Sequence, residues 1–205
     1  IHVGAYGVTN FGNTAAATYG VIHTHQSADA HRTLQVGSSL GMNAFSGDTN
    51  ITQVFAEGAY KGFNTEKYSV EPYAGLSWIH ASGDSFSEKV SGMTFSTTTE
   101  DQNLEVTTLG VRGSIALPLA AAKVSLKGDV AWHHFFGDNR AKAVMNLAGS
   151  GVAHLKGGKL SNMASLGLGL EAKLGKMTTL GISYTGAYDG DATSNGVFAN
   201  LRVNF

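Results

Sequence analysis

No cysteine occurs in the 205 residues, which removes disulfides and thiolate metal sites and is compatible with an oxidising compartment. Charge is scarce as well: 14% of residues are Asp, Glu, Lys or Arg, the net charge is -1, and the isoelectric point is about 6.8. Nucleic-acid partners need clustered Lys and Arg, so that class is excluded. A transmembrane helix needs about 18 or more predominantly apolar residues, and none is present. The longest stretch without ionisable side chains, Val3 to Ile22, is broken by Thr9, Asn10, Gly12, Asn13 and Thr14 and reads as two strands and a turn. No His-Glu-x-x-His is present, so no zinc site is signalled, and no cofactor is expected. No signal peptide opens the chain, so an exported protein would be seen here as a mature or internal segment.

What is present is diffuse apolarity. Hydrophobic residues make up 42% and glycine numbers 27, yet the mean hydropathy is only -0.03. That balance fits one domain, residues 1–205, whose wall is wetted on one side and oily on the other. Period-two alternation supplies the pattern. In the last residues Val197, Ala199, Leu201, Val203 and Phe205 share one face, and Phe198, Asn200, Arg202 and Asn204 share the other. Ending on an apolar face with nothing after it to cover that face points to lipid as the cover.

Alternation predicts about nine strands of the roughly 9–11 residues that a tilted membrane strand requires. They are Ile1–Asn10, Ala15–Gln26, Thr52–Phe63, Tyr68–His80, Val106–Leu117, Val124–Phe135, Met163–Leu174, Thr178–Tyr188 and Gly196–Phe205. Leu109, Val111, Gly113 and Ile115 oppose Thr108, Gly110, Arg112 and Ser114; the segments 124–133 and 165–173 repeat the pattern. The same alternation would serve a soluble antiparallel sandwich. Connection lengths favour the membrane: Asn10–Thr14, Asn64–Lys67, Pro118–Lys123 and Gly175–Met177 are short. His25–Ile51, Ala81–Glu105 and Gly137–Asn162 are long, and Asp189–Asn195 is modest. Short turns on one side and long loops on the other describe an outer-membrane barrel, with a periplasmic C-terminus and extracellular loops. Tyr60, Phe63, Trp78, Trp132, Phe135, Tyr184, Tyr188 and Phe205 lie where interfacial aromatic girdles would be.

Several segments resemble the C-terminal translocator barrel of monomeric type V autotransporters. They are Val54-Phe-Ala-Glu-Gly-Ala-Tyr60, Val70-Glu-Pro-Tyr-Ala-Gly-Leu-Ser-Trp78, Thr108-Leu-Gly-Val-Arg112, Gly128-Asp-Val-Ala-Trp-His-His-Phe-Phe-Gly-Asp138, Leu180-Gly-Ile-Ser-Tyr184 and Val197–Phe205. The resemblance implies an all-β antiparallel transmembrane barrel of roughly twelve strands. Three strands, a pore-plugging linker helix and a passenger domain would then lie upstream of Ile1. Arg32–Phe45 offers a possible additional strand. The implied function is anchoring and export of the passenger. The implied partners are that passenger and its linker, the barrel-assembly machinery, and outer-membrane lipid with lipopolysaccharide. Leu201, Val203 and Phe205 would form the insertion signal.

By the alternation, Glu57, Glu71, Arg112, Lys127, Asp129, Glu171, Lys173 and Arg202 point away from the apolar row into a lumen. Glu57 and Glu71 also lie where some autotransporters carry acidic residues that assist self-cleavage of the linker, and two facing carboxylates can provide an acid. Apart from that, no enzymatic activity is expected. A barrel enzyme is the alternative; it would need His80 with Asp84, or His134 with Asp138, as working pairs. A soluble sandwich binding module is a further one. His23 and His25 would share a strand face. The basic loop 137–162, with Arg140, Lys142, His154, Lys156 and Lys159, has a short alternating stretch, Ala143–Leu147, and a Gly157-Gly158 turn signal that together suggest a hairpin. Replacing Phe205 with Asp, or deleting it, is expected to lower the yield of folded barrel in membranes more than the same change at Asn204, as read by heat-modifiable migration on gels.

Overall fold

The computed structural model describes residues 1–36, 39–90, 93–119, 122–147, 151–175, 177–190 and 192–203. Thirteen strands are found among the described residues, and no helix. They are β1 (His2–Phe11), β2 (Ala15–Val36), β3 (Ser39–Tyr60), β4 (Tyr68–Gly83), β5 (Phe86–Val90), β6 (Met93–Thr99) and β7 (Gln102–Leu119). They continue with β8 (Ala122–Gly137), β9 (Arg140–Leu147), β10 (Val152–Lys159), β11 (Asn162–Leu174), β12 (Thr178–Asp189) and β13 (Ala192–Val203). Nine of them form one curled antiparallel sheet in the order β1-β2-β3-β4-β7-β8-β11-β12-β13, and these are the nine segments that alternation predicts. Each neighbour pair is antiparallel and close in sequence, so the sheet grows as a meander whose backbone groups pair locally.

Cross-strand register keeps the two side-chain faces apart across the sheet. Leu109 faces Ala74 and Trp132, Val111 faces Pro72 and Val130, and the row continues through Leu166. Leu168 faces Tyr184, which faces Val197. This apolar face is bare: Leu76 is 63% exposed, Val130 58% and Val197 69%. Among the described residues the buried apolar ones are few and small, Ala16, Ala59, Val106 and Ala131. A sandwich would hide the Leu and Val rows against a second layer; among the described residues no such layer covers them.

The long connections differ from expectation because most of them are strand. Residues 25–51 extend β2 and β3 in unbroken register, from His25 opposite Asn50 to Val36 opposite Ser39. Arg32–Phe45 therefore belongs to the outer part of this hairpin and adds no further strand to the main sheet. Residues 137–162 do form a hairpin, β9 with β10, but Gly157 and Gly158 sit within β10, where the register shifts between Lys156 and Lys159; they make an irregularity, not its turn. Residues 81–105 supply β5 and β6. β6 pairs with β9, so two separate excursions build one small sheet, ordered β10-β9-β6-β5.

Glycine is required where the excursion that follows β8 leaves the main sheet. Gly137, with φ of 81°, ends β8; a Cβ there would lie 2.6 Å from the Asn103 carbonyl oxygen. Just beyond, Asp138 N–H donates to the Asn103 carbonyl at 2.7 Å, and the Asn103 N–H donates to Asp138 Oδ2 at 3.1 Å. Gly137→Ala is expected to destabilise the folded protein by about 1–3 kcal/mol, from the left-handed backbone and the lost approach together. Urea unfolding of the complete protein measures this.

Candidate functional site

The apolar face has sharp limits. On β4 the outward residues are Tyr68, Val70, Pro72, Ala74, Leu76 and Trp78, followed by His80 and Ser82. On β8 they are Val124, Leu126, Gly128, Val130 and Trp132, followed by His134. Tyr68 to Trp78 covers about 33 Å of strand, or about 25 Å in height at a tilt of roughly 40°. That is the height of a lipid-facing band on an outer-membrane barrel. Tyr60, Trp78, Trp132, Tyr184 and Tyr188 lie on this face, as the alternation requires. Phe135 does not: it pairs with Val106 on the opposite face, and Phe136 takes the outward position beside His134, with ring centroids 5.4 Å apart. Adjacent residues of a strand cannot share a face, and period-two counting from Trp132 through His134 gives the outward place to Phe136, so placing Phe135 in the girdle departed from the alternation itself. Phe63 lies in the turn after β3, edge-on to Tyr60 at 5.2 Å.

The other face gathers the charges. Glu71, Arg112, Asp129 and Gly167 form one row across β4, β7, β8 and β11. Arg112 bridges two carboxylates: Nη1 donates to Glu57 Oε1 at 2.7 Å and Nε to Glu71 Oε2 at 3.3 Å. Glu57 and Glu71 are thus each bonded to one guanidinium between them. Asn64 Nδ2 donates to Glu71 Oε1 at 2.7 Å, which ties the β3–β4 turn to the same cluster. Lys127 pairs with Glu171 at 2.8 Å. Lys173 and Arg202 flank Thr179 one row away, on the face of Glu171. A groove of about 450 Å³ runs along this face, lined by Glu71, Arg112, Lys127, Asp129 and small residues such as Ser69 and Gly169. Half-exposed ion pairs of both signs keep such a groove hydrated.

Tyr73 completes the cluster, and sequence reasoning passed over it. Its ring lies over Gly110, directly opposite in the register, with the Arg112 guanidinium 5.0 Å from the ring centroid. Its hydroxyl donates to Asp129 Oδ2 at 2.9 Å, reaching across β7. The signal was available: Tyr73 has the parity of Glu71, and a glycine stands opposite it.

The histidines separate by face. His23 and His25 do share the outward face, bonded to Thr52 and Asn50. His80 Nδ1 meets Asn103 Oδ1 at 3.1 Å, not Asp84, and His134 Nδ1 meets Asn162 Oδ1 at 2.9 Å, not Asp138. Asp84 and Asp138 instead accept from the backbone amides of Asp48 and Asn103. On the polar face His133 sits between Thr108 Oγ1 and Ser165 Oγ, 2.9 Å from each. Its second nitrogen meets a hydroxyl where a hydrolytic triad would place a carboxylate. Leu201 and Val203 lie on the outward face of β13, opposite Leu180 and Thr178. Phe205 and Asn204 lie outside the described residues.

The family model described as autotransporter β-domain matches residues 1–185. Two proteins of Serratia marcescens, each called an extracellular serine protease, are similar to the whole chain at 24% and 23% identity over 206 aligned residues. In each the match takes up 20% of the protein, so the chain spans about a fifth of the length of these relatives.

Gly110→Ala would drive a methyl group into the Tyr73 ring and dislodge its hydroxyl from Asp129. The expected cost is about 1–3 kcal/mol. Gly58→Ala, where nothing lies within 4 Å of an added Cβ, is expected to leave the urea midpoint nearly unchanged, and the two midpoints measured side by side check the contact.

Proposed function

The chain belongs to the autotransporter β-domain family, and on that premise we propose that it is the outer-membrane barrel that anchors an N-terminal passenger domain and carries it to the cell surface. What supports this reading most is the pairing of one apolar face, about 25 Å high, with an opposite face that holds Glu57, Glu71, Arg112, Lys127, Asp129, Glu171, Lys173 and Arg202. Lipid covers the first; the second lines a hydrated lumen able to hold an extended segment. The strands β1 and β13 stand at the sheet edges, and unpaired backbone groups in lipid cost several kcal/mol each. Further strands of the same protein are therefore proposed to close the barrel, together with a linker that fills it.

In this arrangement the short turns face the periplasm and the small sheet β10-β9-β6-β5 stands outside the cell. Export draws on passenger folding outside and on the assembly machinery that inserts the barrel, without nucleotide or metal. Glu57 and Glu71, held by Arg112, act as lumen charges, and a part in linker self-cleavage would require one of them to leave the guanidinium. The protease activity named for the relatives is assigned to the four-fifths of each that this chain does not match.

Deleting residues 1–205 from the complete protein is expected to leave the passenger in the periplasm, protected from protease added to intact cells. Leu168→Arg, at mid-height of the apolar face, is expected to cost about 2–4 kcal/mol and reduce display, whereas Thr185→Arg on the polar face is not. Equal display by both variants would overturn the assignment of faces.

A further inference from the structure

One regularity on the apolar face has no part in export. At the foot of each long excursion, the strand leaving the band carries a ring and the returning strand carries its hydrogen-bonding partner. His23 on β2 meets Thr52 on β3 at 3.0 Å, and His25 meets Asn50 at 3.0 Å. His80 on β4 meets Asn103 on β7, and His134 on β8 meets Asn162 on β11. Each couple stands directly opposite in the register. Between β12 and β13 the Tyr184 hydroxyl donates to Asn195 at 2.6 Å, the same device with a phenol. Two of the imidazoles stack above the tryptophans that end the apolar band, Trp78 with His80 at 5.9 Å and Trp132 with His134 at 5.6 Å.

In every imidazole couple it is Nδ1 that is engaged. Where the partner is an Asn Oδ1, which accepts, Nδ1 holds the proton; the Thr52 hydroxyl can donate to or accept from His23 Nδ1, and in every couple Nε2 is the atom turned away from that partner. The carboxylates facing this row decide which imidazoles are available. His25 Nε2 has Asp48 Oδ2 at 4.0 Å. Glu105 faces outward level with Trp78 and Phe136, one row nearer the band than His80 and one row farther from it than His134. Asp84 and Asp138 are turned to backbone amides. That leaves His23, His80 and His134. An anion at their height can draw a proton from solvent onto Nε2 and accept a charge-assisted bond from it, while Nδ1–H keeps its amide or hydroxyl partner. Tryptophan at the hydrocarbon edge with imidazole immediately above it is the order in which a lipid leaflet presents acyl chain and phosphate.

We infer that His23, His80 and His134 form a docking belt for the phosphate groups of the lipid leaflet on the loop side of the band. This rests on the membrane reading above. The test uses the complete protein inserted into vesicles of a phosphate-free glycolipid containing either lipid A or lipid A stripped of its phosphates. Unfolding rates in urea are expected to be at least about fivefold slower with the phosphorylated lipid. The difference is expected to vanish in the triple variant His23→Gln, His80→Gln, His134→Gln, and to survive in His2→Gln, a polar-face control. Single variants, each losing part of the difference, serve if the triple variant does not insert. Inorganic phosphate added to phosphate-free vesicles is expected to change nothing. A wild-type protein indifferent to the lipid phosphates, or a triple variant that keeps the whole difference, overturns the belt while leaving the barrel intact. Failure to insert into either vesicle overturns the membrane reading and the belt with it.

Discussion

Strand pairing in strict register is the constraint on which everything else in this molecule depends. Side chains alternate with a period of two, so a slip of one residue in any of the nine strands would carry Leu109 and Val111 to the polar face and Arg112 to the apolar one. In lipid that error is severe twice over, since a charge and a set of backbone groups would both lose their partners. Short turns enforce the register locally. Gly12 at φ 61° and Gly175 at φ 69° close two of them where an L side chain would be strained.

The polar face is organised around one residue. Arg112 touches Glu57, Glu71 and the Tyr73 ring, so four neighbouring strands are tied by a single guanidinium and by the tyrosine's reach to Asp129. Guanidinium geometry allows this because its donors diverge in a plane. Arg112 thereby serves two carboxylates at once, Lys127 pairs with Glu171, and a groove is left between these groups.

Beyond the apolar band the design changes. Chain that would have been flexible loop continues as strand, and two excursions meet through β6 and β9. Glu100 N–H donates to the Lys142 carbonyl at 3.2 Å, and Asp84 N–H to the Asp48 carbonyl at 3.0 Å, so the excursions brace one another.

Amino-acid order alone determined the nine strands and which face of each is apolar, because alternation is a local property that neighbouring strands simply repeat. Local reading also mistook Gly157-Gly158 for a turn and took residues 25–51 as loop, since Ser, Asp, Gly and Asn in that stretch are turn formers by local preference. Only the tertiary structure decided that they pair, because the partner strand outweighs that preference. It also decided that Arg112 joins Glu57 to Glu71 and that His80 and His134 choose asparagine over aspartate. Those contacts join residues 23 to 55 positions apart, and which atoms meet across a sheet follows from register and strand order, not from anything written within a single segment.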